Sequence, residues 1–524
     1  MSGPSESLTP PVEPRALGAG ISLVLLVGLI YLLTLSPTVN SFDSGELIAG
    51  AYSLGIIHAP GYPLYLLTAH LFIQAPWGNP AFKVNLLSAV SAMLSVGLLF
   101  LASWRLTKAL RVSILSTLIF GLSRMLWSDA VVAKVYALNA LIVGAVVLAA
   151  IIWNERPTLR HLLALSILYG LSLAHHLSTT LLAPGLVALV ILRGRRATFR
   201  TRDWAVALAG LCIPLLIYLY LPIRFHANPS LNYVGQYFDQ RLDTLPGIVW
   251  MVTGRMFGQE MFGRSIADGM VELGVLSSKL WLNLLGGGTI IGSYGLLVLW
   301  RQRMGPLALF FLSGVLMVLF FFAFYDVVNN AEMILPAIVL SISPLAVGFW
   351  QIGRDLGILV PMSSHRNQML GWTVVIGVGL LLIGVNWRYA DRHNDWYADS
   401  FARRVMLDAE PRAIILAQWT SATPLEYLQI VEGSRPDVTI VDRGLVTLGV
   451  RDRLERIGQT ADESLTEATM RELTRIIDEG LVNNRAVYIM EDDPLINRVY
   501  CLVPLSEGTY RILPRVGNGT HCVE

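Results

Sequence analysis

Long apolar runs dominate this chain of 524 residues and restrict it to the folds that a lipid bilayer allows. Hydrophobic residues make up 54% of the sequence and charged residues only 15%. A helix needs roughly 20 mostly apolar residues to cross the hydrocarbon core, and about eleven such segments precede residue 390. Backbone polar groups inside a bilayer need internal partners, so these segments are predicted to be transmembrane helices. A net charge of +2 gives no support for a nucleic-acid partner.

Eleven transmembrane spans are predicted, and two of the loops that join them are long. They are 16–35, 81–103, 112–127, 135–153, 161–175, 177–192, 204–222, 272–299, 306–325, 333–352 and 370–388. The first lacks a small-residue cleavage site and is predicted to be retained. The loop after it contains two short stretches, 44–54 and 64–74, that suit helices at the membrane interface. A second long loop, 223–271, is rich in aromatic residues and is predicted to cover a site from above.

Lys and Arg are concentrated in alternate loops, which predicts that those loops are cytoplasmic. The remaining loops are then extracytoplasmic, and eleven crossings place the C-terminal part on that side too. The unusual polar residues converge there; they are Asp43, Glu46, Asp129, Lys134, His175, His176, Arg224, Asn228, Asp326 and Glu332.

Composition changes after residue 389 from apolar to charged and mixed. Short apolar runs at 413–417, 437–441, 486–490 and 510–513 predict strands, and 424–432 and 465–479 predict helices. Alternating strands and helices favour a small α/β domain. The predicted organisation is therefore a transmembrane domain, 1–389, followed by an extracytoplasmic α/β domain, 390–524. In that compartment Cys501 and Cys522 could form a disulfide, and residues 518–520 match a glycosylation sequon.

The first loop carries the chemistry of greatest interest. Residues 41–46 (SFDSGE) place Asp43 three positions before Glu46, and His58 opens the run HAPGYP at 58–63. Paired carboxylates beside a histidine at a membrane surface suit an enzyme that takes its substrate from the lipid. A structural alternative is a capping box in which Asp43 and Glu46 satisfy backbone donors of one helix. The Pro-Gly-Tyr-Pro segment could likewise be a rigid turn, with Tyr62 as an interface anchor.

Several motifs, in the same order along nearly the whole chain, resemble those of the domain-of-unknown-function 2723 family. The matching segments are 42–46 (FDSGE), 58–65 (HAPGYPLY), 135–139 (VYALN), 170–176 (GLSLAHH), 220–224 (YLPIR), 228–229 (NP), 332–336 (EMILP) and 431–438 (VEGSRPDV). That family resembles the C-type glycosyltransferases, multi-spanning enzymes that use polyprenyl-phosphate-linked sugars, and its vertebrate members are protein O-mannosyltransferases. One position departs from the pattern, because Lys134 stands where the family often has Glu.

The resemblance implies transfer of a sugar, such as mannose, from a polyprenyl phosphate to a protein or glycan acceptor, with inversion at the anomeric carbon. Asp43 matches the acidic residue of the family's first loop and is predicted to be the general base, with Glu46 supporting the acceptor or orienting Asp43. Arg224 is predicted to bind the phosphate, since its guanidinium offers a fork of donors. The other predicted substrate-binding residues are His58, Tyr62, His175, His176, Asn228 and Glu332. Arg224 could alternatively be a snorkelling side chain.

No cofactor is predicted. Asp43, Glu46, Asp129 and Glu332 could supply oxygen ligands to a divalent metal, but nothing in the sequence sets their spacing, and we expect no obligatory metal. Two other classes remain open: a transporter or flippase of lipid-linked sugars, which needs polar residues at mid-membrane depth, and a non-catalytic scaffold. The expected location is the cytoplasmic membrane of the cell, with the site on its outer side.

Overall fold

The computed structural model describes residues 13–194, 199–327, 330–356, 365–458, 462–506, 508–516 and 521–522. The described part up to residue 390 is helical. Its α-helices are α1 Pro14–Leu33, α2 Asp43–Ser53, α3 Pro63–Ile73, α4 Pro80–Thr107, α5 Leu110–Gly121, α6 Arg124–Ala130, α7 Val135–Glu155, α8 Leu159–His175, α9 Ala183–Gly194, α10 Thr201–Cys212, α11 Tyr220–Ala227, α12 Tyr233–Tyr237, α13 Leu245–Val252, α14 Ile266–Asn283, α15 Gly288–Arg301, α16 Gly305–Phe324, α17 Leu335–Leu356 and α18 His365–Ala390. Short 3₁₀ segments cover Leu177–Leu182, Ile213–Leu219, Arg255–Phe257 and Asn330–Ile334.

Eight helical segments of the described chain are long and apolar enough to cross a membrane, and the number is ten if each of two bent pairs is one span. The protein is thus a polytopic helical membrane protein, as predicted. Helix α8 has 17 residues and is shorter than these spans.

The predicted straight helix 272–299 is wrong, because α14 and α15 meet at an angle of 87°. The break falls at Leu285 and Gly286, which have φ of +57° and +66°. Glycine adopts this left-handed conformation without a Cβ penalty, so the run of three glycines at 286–288 allows the chain to turn. Similarly, α5 and α6 replace the predicted helix 112–127 and are bent by 63°.

Helices α2 and α3 occupy the two short stretches predicted in the first loop. Helix α2 does not lie at a lipid surface, however, because every residue from Ser44 to Ala51 is buried. It packs against helix α20 (Trp419–Ile430) of the C-terminal part, and a Cβ on Gly45 would lie 2.1 Å from the carbonyl oxygen of Thr423. The two helix backbones therefore approach so closely that only glycine fits at position 45.

The C-terminal part builds a mixed sheet with helices around it. Its elements are α19 Tyr397–Asp408, β1 Ile414–Ala417, α20 Trp419–Ile430, β2 Thr439–Asp442, α21 Arg443–Arg456, α22 Asp462–Val482, β3 Val487–Met490, α23 Pro494–Val499, β4 Tyr500–Ser506, β5 Thr509–Val516 and β6 His521–Cys522. The strand order is β2-β1-β3-β5-β4, with β6 paired to β5. Strand β1 is parallel to β2 and β3, whereas β5 is antiparallel to β3 and β4.

The strands and helices predicted in the C-terminal part are present with shifted ends, and the sequence analysis missed α19, α21, α23, β4 and β6. Apolar side chains of β1, β3, α21 and α22 form a separate core under the sheet. Helix α20 instead joins the core of the transmembrane part through buried residues such as Leu425 and Tyr427. Cys501 is disulfide-bonded, which confirms that it takes part in a disulfide, and Cys212 is free. The predicted sequon lies outside the described residues.

Candidate active site

A cavity of about 790 Å³ lies between the transmembrane helices and the C-terminal part. Three parts of the chain supply its polar lining: the first loop, the ends of transmembrane helices, and α20 with α21. The polar and aromatic lining includes Asp43, His58, Tyr62, Lys134, Tyr136, His176, Ser178, Tyr325, Glu332, Gln418, Trp419, Thr420 and Thr447. The second long loop contributes Thr253, Gly254, Phe257 and Met261, as its predicted covering position requires.

Asp43 is the first residue of α2 and faces this cavity. The residue before it, Phe42, is the N-cap, has a φ of +62° and makes no side-chain capping bond. The alternative of a capping box is therefore wrong. Asp43 Oδ1 instead accepts a hydrogen bond of 2.9 Å from the indole Nε1 of Trp419. A non-glycine residue held at positive φ is a local strain that surrounding contacts must maintain, and such residues are concentrated at functional sites.

Glu46 lies one turn along α2 and is fully buried beside His58. Its Oε1 contacts His58 Nδ1, while Glu46 itself is absent from the cavity lining. Burial raises the pKa of Glu46 to about 7 in spite of the imidazole next to it. Burial alone lowers the pKa of His58, but the Glu46 carboxylate outweighs this effect and the pKa is raised. Glu46 thus orients His58 and raises its pKa, whereas the sequence analysis expected Glu46 to support the acceptor or to orient Asp43.

Among the described residues that line the cavity, Lys134 is the only Lys or Arg. Its Nζ lies 2.5 Å from Glu332 Oε2 and 3.6 Å from Asp129 Oδ1. Burial lowers the pKa of Lys134, but the two carboxylates more than offset this and the pKa is raised. The side chain is therefore an ammonium at neutral pH.

Tyr62 and His176 both line the cavity, and their ring centroids are 5.9 Å apart. His176 contacts Ser178 Oγ at 2.8 Å through Nδ1. His175 is fully buried behind them and does not line the cavity; its Nε2 lies 3.0 Å from the carbonyl oxygen of Val135. The two adjacent histidines thus occupy different environments, with one at the cavity and one packed against α7.

Arg224 and Asn228 are not brought to the cavity. The guanidinium of Arg224 donates to the carbonyl oxygens of Leu54 at 2.7 Å and Ser53 at 3.1 Å, at the C-terminal end of α2. These carbonyls have no partner within their own helix, and a cation is favourable at this end. Asn228 is exposed and ends α11 in a left-handed conformation. In these positions Arg224 caps the C-terminal end of α2 and Asn228 ends α11, and both are structural roles.

Two residues of the site escaped the sequence analysis. Lys134 was named only as an outer-side polar residue and as a departure from a family pattern, with no role in the site, and Trp419 was not singled out. The signal for Lys134 was available, since a lysine directly before an apolar span on the predicted outer side needs acidic partners. No local pattern indicates Trp419, because its partner Asp43 lies 376 positions away.

The described residues contain no group of three or more His, Cys, Asp or Glu side chains that could hold a metal ion. Asp129 and Glu332 flank the ammonium of Lys134, which occupies the place between them. The expectation that no metal is obligatory stays a prediction.

Comparison with known proteins identifies relatives of the whole arrangement. Residues 43–199 match the model of the protein O-mannosyl-transferase TMEM260 N-terminal domain. The protein O-mannosyl-transferase TMEM260 of Mus musculus is 27% identical over 83% of this chain, and the Dictyostelium discoideum protein of that name is 22% identical over 82%. The chain spans 64% and 57% of the length of these two relatives.

A solved structure shares the fold. ArnT from Cupriavidus metallidurans, bound to undecaprenyl phosphate, superposes with a TM-score of 0.57 at 11% identity and covers 95% of this chain and 98% of its own. These comparisons confirm the resemblance to protein O-mannosyltransferases that the motifs indicated. They do not confirm the name of the domain-of-unknown-function 2723 family. The chain has the fold of the C-type membrane glycosyltransferases, and the part that carries Asp43 and His58 is similar to the N-terminal domain of the TMEM260 protein O-mannosyl-transferases.

Proposed function

We propose that this protein is a membrane glycosyltransferase that transfers a hexose, by analogy with its relatives mannose, from a polyprenyl phosphate to an acceptor hydroxyl. The observation that carries the proposal is one cavity with a carboxylate, Asp43, and an ammonium, Lys134, in its lining. Transfer from a lipid phosphate needs a base for the acceptor and a cation for the departing phosphate. The cavity supplies both groups.

The proposed reaction is a direct displacement. The acceptor oxygen attacks the anomeric carbon, and its proton passes to Asp43. The bond between that carbon and the phosphate oxygen breaks, and its electron pair leaves with the polyprenyl phosphate. A single displacement inverts the anomeric configuration. Lys134 offsets the negative charge that develops on the leaving phosphate, and His58 adds to this effect when it is protonated.

The donor side of the cavity is assigned to the transmembrane helices. Apolar side chains line it there, including Leu177, Leu181, Phe321, Phe322 and Met333. An isoprenoid chain is fully apolar and is stabilised by such surfaces. The relative of like fold, ArnT, binds undecaprenyl phosphate. We assign the acceptor, protein or glycan, to the opposite side, where α20 and α21 present Gln418, Thr420 and Thr447.

The C-terminal part and the cavity are assigned to the extracytoplasmic side of the cytoplasmic membrane. The distribution of Lys and Arg in the loops supports this orientation. A flippase has less support, since the polar cavity groups lie in loops or at the ends of spans instead of at mid-membrane depth.

Sugar release from radiolabelled polyprenyl-phosphate-mannose by the purified protein in detergent tests the proposal. Wild type is expected to turn over, and Asp43→Asn is expected to lose on the order of 10²–10⁴-fold in rate because the base is removed. Asp268→Asn is the matched control, since Asp268 is exposed and, among the described residues, its carboxylate accepts a hydrogen bond only from Ser265, the N-cap of α14, at 2.6 Å. Full activity of Asp43→Asn would refute the assignment of the base. Absence of turnover in wild type with added peptide and glycan acceptors would refute the donor.

A further inference from the structure

We propose that Trp419, a residue of the C-terminal part, positions the base Asp43, so that this part completes the active site instead of only covering it. The inference rests on the proposed function. The indole Nε1 of Trp419 donates to Asp43 Oδ1 at 2.9 Å across 376 positions of sequence. Asp43 Oδ2 has no hydrogen-bond partner among the described residues, and this leaves it for the acceptor hydroxyl.

The indole is itself held in place by its neighbours. Its ring lies edge-on to those of His58 and Tyr233, with centroid distances of 5.4 and 5.8 Å. Such edge-to-face arrangements are favourable for aromatic pairs. Trp419 therefore contacts two first-loop residues that line the cavity, Asp43 and His58, in one orientation.

One face of α20 docks this tryptophan on the transmembrane part. Trp419, Thr423 and Glu426 are spaced at i, i+4 and i+7 and so lie on the same side of the helix. The hydroxyl of Thr423 donates to the carbonyl oxygen of Phe42, directly before Asp43. The carboxylate of Glu426 accepts from the hydroxyl of Tyr233 at 2.5 Å. Three contacts on successive turns thus set the height and rotation of Trp419 above α2.

The chemistry of the contact suits a positioning role. An indole N–H donates and never accepts, so it cannot compete for the proton that Asp43 takes up. The titratable groups that surround Asp43 electrostatically are Glu46, His58, Tyr62, Tyr65, Lys134 and Tyr136. Unlike these groups, the indole of Trp419 does not titrate, so its hydrogen bond to Asp43 does not depend on the protonation of Trp419 itself.

The test compares Trp419→Phe with Trp250→Phe. Trp250 is a matched control because its Nε1 also donates to a carboxylate, that of Asp452 at 3.0 Å, and also joins the second loop to the C-terminal part. Neither Trp250 nor Asp452 lines the cavity. The measurement is the pH profile of kcat and the KM for polyprenyl-phosphate-mannose, together with the melting temperature of each variant.

We expect Trp419→Phe to lower kcat by about tenfold or more, as a lost hydrogen bond to a charged group does. The KM of this variant for polyprenyl-phosphate-mannose is expected to be unchanged. Trp419→His, which keeps a ring N–H, is expected to recover part of kcat and to serve if Trp419→Phe does not fold. Equal profiles for Trp419→Phe and Trp250→Phe, or no recovery in Trp419→His, would overturn the inference. An inactive wild type would instead refute the proposed function.

Discussion

Replacement of Lys134 by Met removes the one Lys or Arg that lines the cavity in the described part of the chain, while nearly preserving side-chain length. In the proposed reaction a lipid phosphodiester becomes a phosphomonoester, so one additional negative charge appears as the bond breaks. Lys134 stabilises that charge in the transition state more than in the bound donor. The substitution is therefore expected to lower kcat more than it raises KM.

The size of the effect follows from the charges around Lys134. Two unit charges about 4 Å apart interact by roughly 4 kcal/mol at the effective dielectric constant of a protein surface. Glu332 and Asp129 lie 2.5 and 3.6 Å from the ammonium and already neutralise part of its charge. We therefore take about half of the roughly 4 kcal/mol as the interaction with the phosphate. About 2 kcal/mol corresponds to a loss of roughly 30-fold in kcat.

Initial rates of labelled sugar transfer at saturating donor measure this loss. Lys134→Arg keeps the charge and is expected to retain most of the activity. Lys83→Met is the control for a buried lysine without a cavity role, because Lys83 Nζ donates to the carbonyl oxygen of Ile73 at 2.9 Å. Since Lys134→Met leaves Asp129 buried without its cation, the melting temperature is recorded in parallel. A kcat of Lys134→Met within twofold of wild type would refute the reasoning.

Three further outcomes are expected. Chelation by EDTA should leave wild-type turnover unchanged, whereas Lys134→Glu should gain Mn²⁺ binding by creating three carboxylates; a wild-type loss that Mn²⁺ restores would contradict this. The pKa of Glu46 is raised from an ordinary 4.5 to about 7, so the protonated carboxyl stabilises the fold at low pH and this contribution is lost as pH rises through 7. Glu46→Gln should therefore flatten the dependence of melting temperature on pH between 4.5 and 7, and an unchanged slope would argue against this reasoning. Arg224→Ala should destabilise the protein by about 2 kcal/mol and leave the KM for the donor unchanged. A raised KM without destabilisation would instead support the original prediction that Arg224 binds the phosphate of the donor.

Much of the site could be predicted at the level of segments. The first loop, the ends of α7 and α8, and Glu332 were all placed on one side from apolar runs and the pattern of basic loops, and Asp43, His58, Tyr62, His176 and Glu332 do line one cavity. Partners could not be predicted in the same way. Asp43 and Glu46 are one turn apart, yet Asp43 contacts the C-terminal part and Glu46 contacts His58. Spacing places both at the start of one helix, but the surroundings of that helix are set by long-range packing.

The choice of the basic residue at the site likewise could not be predicted from the sequence. Arg224 and Lys134 are both basic residues at the ends of apolar segments, and guanidinium geometry favoured Arg224 for a phosphate. The structure instead directs Arg224 to the carbonyl oxygens at the end of α2, while Lys134 reaches the cavity between two carboxylates. This choice depends on which buried groups lack partners, and that is known only once the helices are packed.

The sequence by itself determined the class of protein, the approximate spans, the alternation of strands and helices after residue 389, and the segment that carries the acid and the histidine. These properties are local, because about twenty consecutive apolar residues or a short alternating pattern suffice to specify them. Only the tertiary structure decided that α20 lies against α2, that Trp419 meets Asp43, and that Lys134 is the cation of the cavity. Those contacts join residues up to 376 positions apart, and desolvation of the buried charges, together with the close approach allowed by Gly45, selects them.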